Sequence, residues 1–140
     1  MTLAAAYAEL AALTVTGVSN LAMSAIPGIV ATADLPALLP VSGGGGGLDS
    51  LNLNFTKGAL VHHMEHWLLV SAAGLGRPQA RYVDAITHSD AYLVALVGNL
   101  TLSGELLEPL QLANVIAGVE VFGNSAYYVV KFYHRWVIKL

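Results

Sequence analysis

VHHMEHW, residues 61–67, sets three histidines within five positions, and its period decides the fold built around it. As part of a strand, ALVHHMEHWLLV (59–70) turns His62 and His66 to one face with Leu60, Met64 and Leu68, and His63 to the other with Val61, Glu65 and Trp67. As a helix, it would set His62 and His66 one turn apart on one face, the ligand spacing of a zinc-protease helix. That chemistry requires a glutamate directly after the first histidine, whereas Glu65 directly precedes the last. The turn signal Thr56-Lys57-Gly58 ahead, and the apolar WLLV running on to a glycine break behind, favour the strand. A strand splits the trio between two faces, so no metal ligand is expected; a metal-binding domain using His62, His63 and His66 stands as the alternative. A histidine row on one face could still tune an interface, because imidazole charge changes between about pH 5 and 8.

Outward from that strand, LDSLNLNF (48–55) alternates Leu51, Leu53 and Phe55 against Ser50, Asn52 and Asn54, the period of a half-buried strand, and the TKG turn joins the two as a hairpin. LQLANVIAGVEVFG (110–123) and AYYVVKFYHRWVIKL (126–140) form a second hairpin about Gly123-Asn124-Ser125. In its second arm Val130, Phe132, His134, Trp136, Ile138 and Leu140 share the face that packs on a helix. Lys131, Tyr133, Arg135 and Lys139 share the face that meets solvent or a partner. Trp67 and Trp136 alternate in phase with apolar neighbours and read as core.

Between the hairpins, residues 77–100 place Val83, Ile86, Leu93, Leu96, Val97 and Leu100 three, four or seven apart, an amphipathic helix with Pro78 in its first turn. Residues 2–13 give a shorter helix through Leu3, Tyr7, Leu10 and Leu13, with Thr2 as its N-cap. LPALLPV (35–41) enters the sheet at an end or edge, where proline's missing N–H does least harm. The order predicts one α+β domain over residues 1–140, with a mostly antiparallel sheet of about four to five strands and two helices packed on it.

Composition narrows the functional classes. A hydrophobic fraction of 56% with 11% charged residues leaves apolar surface for a membrane or a protein partner to cover. A membrane span needs about 20 uninterrupted apolar residues, but Glu9 breaks the first run and Pro27, Asp34, Pro36 and Pro40 break the second. MTLAAAYAEL has no basic residue ahead of its apolar stretch and does not read as a signal peptide. A net charge of −3 with scattered Lys and Arg gives no basic stripe for nucleic acid. With no cysteine there is no thiol chemistry. The glycine run Gly43, Gly44, Gly45, Gly46 and Gly47 continues into Leu48, Asp49 and Ser50 instead of the Lys-Ser/Thr of a phosphate loop. Ser71, Ser89, Ser103 and Ser125 lack a nucleophile-elbow setting, and Asp84 and Asp90, six apart, fall on different helix faces. No catalytic residue and no cofactor is expected.

The segment order, with ADLPALLPVSG (33–43), HWLLVSAAG (66–74), YVDAITHSDAYLVALVGN (82–99) and the closing YYVVKFYHRWVIKL (127–140), resembles the tail terminator and related head-tail joining proteins of long-tailed bacteriophages. The resemblance covers most of the chain. It implies a structural virion protein, assembled in the host cytoplasm, whose subunits form a homohexameric ring on the completed tail tube and offer a surface to the head-tail connector or stopper protein. Other connector, head-completion or minor tail roles are the alternatives within that group. DNA could pass through such a ring without sequence-specific contact. The resemblance further implies that Gly43 to Gly47, with Thr56, Lys57 and Gly58, contact tube or connector, and that Lys131, Arg135 and Lys139 face a neighbouring subunit or the DNA channel; a solvated loop and a solvated strand face are the alternatives.

Overall fold

The computed structural model describes residues 2–20, 35–42, 53–56, 58–73, 78–122 and 125–139. Helix α1 (Leu3–Ala11) is followed by β1 (Ser19–Asn20), β2 (Ala37–Ser42), β3 (Leu53–Thr56), β4 (Ala59–Ala72), α2 (Pro78–Val97), β5 (Gln111–Phe122) and β6 (Ser125–Lys139). The six strands form one sheet in the order β1-β2-β4-β6-β5, with β3 beside the start of β4. Every pairing is antiparallel except β1 with β2. The fold is α+β, as the segment order requires. The strand beyond the expected five is β1, two residues long and too short to leave a period in the sequence.

The histidine segment is a strand, and register distributes its side chains. Leu60, His62, Met64, His66 and Leu68 lie opposite Ile138, Trp136, His134, Phe132 and Val130 of β6. These residues make the helix-facing side, and all ten are buried. The fully buried Trp136 and Phe132 each contribute about 1.5–3 kcal/mol on leaving water. The second side carries His63, Glu65 and Trp67 opposite Arg135, Tyr133 and Lys131. Trp67 is therefore not a member of the helix-side core; it is half-buried on the other face, while Trp136 is fully buried. Where WLLV loses alternation, Leu68 and Leu69 are both fully buried, as are Leu39 and Val129, so this end of the sheet is covered on both sides.

Local signals account for the connections. Thr2 caps α1, its hydroxyl oxygen accepting the Ala5 N–H at 3.1 Å, and the helix buries Ala6 and Leu10. Gly58 takes φ +78° in the turn from Thr56 to Ala59, the left-handed region that an L side chain enters only with strain. β1 pairs with Ala37 and Leu38 alone, so Pro40 lies where no described strand needs its N–H, in keeping with the edge position expected of it. Gly43 to Gly47 and Lys57 lie outside the described residues, as do Leu51, Asn52 and the Gly123-Asn124 part of the expected second turn.

Two expectations fail on what covers the sheet. Helix α2 was expected to bury Val83, Ile86, Leu93, Leu96, Val97 and Leu100, but Val83, Ile86 and Val97 are exposed, Leu100 is at the surface and Leu93 is half-buried. Its inward arc is Ala85, Tyr92 and Leu96. The helix is turned because Tyr92 stacks on Phe132, centroids 4.0 Å apart, and finds hydrogen-bond partners on the sheet. Phe55, read as inward and half-buried, does sit on the helix side opposite Leu60, yet it is 66% exposed because β3 lies at the end of the sheet.

Candidate assembly surface

Strand β5 is the outermost strand and, among the described residues, has a partner on one edge only. Its twelve residues, QLANVIAGVEVF, include one charge, Glu120. Register with β6 puts Val115, Ala117, Val119 and Val121 on the helix side, opposite Phe132, Val130, Tyr128 and Ala126. Neither described helix covers them: Val119 is 58% and Val121 66% exposed. On the second side Ile116 is also exposed. An edge strand with apolar side chains on both faces and one open line of backbone N–H and C=O groups is what proteins ordinarily guard with charge, proline or short length. The bulge between Leu112 and Asn114 interrupts the pairing only at its start.

Helix α2 adds to this apolar surface. Tyr82, Val83, Ile86, Val94 and Val97 recur at helical spacing on the side turned away from the sheet, Val94 being 76% exposed. Asp84 and Asp90 are both exposed on the helix. Large apolar side chains grouped in this way are the composition of surfaces that engage another protein, a membrane or a ligand.

The charged residues proposed for the second face are arranged unequally. Lys131 is paired with Glu120 and lies over the Trp67 ring, its Nζ 4.6 Å from the centroid, so its charge is largely satisfied within the subunit. Arg135 is half-buried between His63 and Gln111 in the register, and Lys139 is exposed at the strand end. Next to them, the Tyr133 hydroxyl is pushed above its ordinary range, first by desolvation, then by its hydrogen bond to Glu65 and the charges of Glu65 and Glu120. Gly58 is exposed at the tip of its turn, at the end of the sheet where Lys139 also lies.

The histidines divide as their alternation predicts. His63 is exposed on the second face, whereas His62 and His66 are buried on the first. His62 meets the Trp136 ring edge-on, centroids 5.4 Å apart. His66 Nδ1 lies 3.0 Å from the Tyr92 hydroxyl, which lies 2.7 Å from His134 Nε2. Among the described residues no three His, Asp or Glu side chains are grouped to hold a metal ion. Tyr92 and His134 are the members of this interior site that sequence spacing does not join to His66. The signal for His134 was its place on the inward face of the final strand, but only the strand register shows that it sits one row from His66.

No protein-family model matches the chain, and no curated protein matches it.

Proposed function

We propose that the chain is a structural assembly protein of a long-tailed bacteriophage, a tail terminator whose subunits close into a ring on the end of the tail tube and join it to the head connector. The observation that carries this reading is β5: a long edge strand, open on one side among the described residues, with exposed apolar side chains on both faces and continuous in character with the exposed stripe of α2. Such a surface is unfavourable on an isolated subunit and suits one that is buried on assembly. The resemblance in segment order supplies the role. Arg135 and Lys139 are the better candidates for a neighbouring subunit or DNA channel, since Lys131 is engaged by Glu120.

Electron microscopy of the purified protein, alone and mixed with tail tubes, alongside its mass by light scattering, tests the proposal. A ring, or a discrete cap at tube ends, is the expected result. A small species that ignores tubes at all concentrations refutes it. A head-completion, stopper or minor tail protein would assemble through similar surfaces but bind elsewhere along the neck and tail. A metal-binding domain would show stoichiometric bound metal, and it gains nothing from the geometry, because His63 points away from His62 and His66.

A further inference from the structure

The interior site holds one hydroxyl proton between two imidazoles that come from different strands. Tyr92 on α2 is placed between His66 on β4 and His134 on β6, at 3.0 and 2.7 Å. Because the hydroxyl has a single proton, one imidazole accepts it and the other donates an N–H to the phenol oxygen. Among the described residues, buried His134 Nδ1 has no hydrogen-bond partner. A bare ring nitrogen left alone costs less than a buried N–H left alone, as orphaned N–H groups are the rarer case. His134 therefore carries its proton on Nε2 and donates to Tyr92, and Tyr92 donates to His66 Nδ1, which leaves the His66 proton on Nε2.

That polarity leaves no suitable place for an added proton. On His66 it must go to Nδ1, the atom accepting the Tyr92 hydroxyl, which then loses its acceptor. On His134 it must go to Nδ1, which has no partner. Among the described residues, the charged groups around the pair do not compensate. Glu65 on β4, Lys131, Arg135 and Lys139 on β6 and Glu120 on β5 project from the opposite face of the sheet. On the near side α2 brings Arg81 and His88, neither of them an anion, and exposes Asp84 and Asp90, β4 adds His62, and Glu9 of α1 is bonded to Ser103.

We propose that His66, Tyr92 and His134 form a proton-operated latch: with both imidazoles neutral it fastens α2 to the sheet, and protonation of the pair releases the helix while the strands stay paired. Burial holds His134 down to about 4, and holds His66 well below its ordinary value with the charge of His134 as the second cause. The latch therefore opens in acid, below the range of an exposed histidine. It is a property of the subunit, independent of what covers its surface.

Amide hydrogen exchange of the full chain, from about pH 7 to about pH 3.5, tests it in the wild type and in a His66→Asn, His134→Gln double variant. The replacement amides offer an acceptor where His66 Nδ1 stands and a donor where His134 Nε2 stands, and they do not titrate. In the wild type α2 amides should lose protection at a higher pH than β4 and β6 amides. In the variant the α2 loss should move down by about one pH unit or more. Loss of α2 protection at the same pH in both proteins, or simultaneous loss across α2, β4 and β6 in the wild type, overturns the latch. If the variant does not fold, imidazole nitrogen shifts of the wild type decide. Two neutral, Nε2-protonated rings that persist until α2 opens support the latch. A ring that titrates near pH 6.5 with α2 still protected, or an Nδ1-protonated His134, overturns it.

Discussion

Replacing Tyr92 by Phe removes one oxygen and leaves the ring that stacks on Phe132 at 4.0 Å unchanged. Two hydrogen bonds disappear, and the groups that made them, His66 Nδ1 and His134 Nε2, remain on residues only 1% and 2% exposed. A hydrogen bond whose partners can turn to water costs about 0.5–1.5 kcal/mol to delete, but each stranded buried polar atom costs about 1–3 kcal/mol. Two such atoms set the expected loss at about 2–6 kcal/mol, a large part of the roughly 5–15 kcal/mol by which a domain is stable. Urea unfolding followed by circular dichroism should show a lower midpoint with an unchanged slope. The same logic makes the losses non-additive. In the Tyr92→Phe background, His134→Leu should cost markedly less than in the wild type, because the stranded Nε2–H is removed with the side chain. A single-variant loss below about 0.5 kcal/mol, or additive losses in the pair, would refute the view that Tyr92 satisfies both imidazoles.

Other consequences are open to measurement. Below pH 6.5 the imidazoles of the unfolded chain take up protons that buried His66 and His134 do not, so stability is complete above that pH and falls as the pH drops. His134 alone removes about 3 kcal/mol by pH 4, and the slope approaches about 2.7 kcal/mol per pH unit where both residues contribute, as measured by urea midpoints in a pH series. At the other extreme, Tyr92 is held well above 10 by burial, so its contribution is present below pH 10 and is lost as the pH rises further. Val119→Glu, on the exposed side of β5, should abolish ring or cap formation while shifting the thermal midpoint of the subunit by no more than a few degrees, read by light scattering and calorimetry. Gly58→Val forces a β-branched residue to φ +78° and should cost about 1–2 kcal/mol by denaturant unfolding, although no atom obstructs the new side chain.

The sequence displays those features that depend on local period. Alternation along VHHMEHW places every one of its side chains on the correct face, and the same holds for KFYHRW in β6, because a strand leaves only two directions for a side chain. Helix α2 is equally visible as a helix, but its inward face is not. Size and hydropathy select Val83, Ile86 and Val97, whereas the buried arc is fixed by Tyr92, whose polar end contributes little to an apolar pattern and whose partners lie on β4 and β6. The exposed apolar side of β5 shows as a strand with apolar residues on both faces, a pattern that the sequence shares with a buried central strand. Only its position at the edge of the sheet distinguishes the two. Phe55 is misread for a related reason: period gives its face but not how far the helices extend along the sheet.

The pairing of β4 with β6 joins Ala59 to Lys139, partners separated by more than half of the chain, while β3 with β4 and β5 with β6 pair strands that are neighbours in the chain. Each hairpin can form early, with α2 between them, but the central seam must wait for a long loop to close. The three members of the interior site belong one each to the first hairpin, the helix and the second hairpin. Their alignment comes only when all three have docked, which assigns this polar interior to the last step of folding and the first step of unfolding, and makes it a control on how long the native subunit survives more than on how fast it is made.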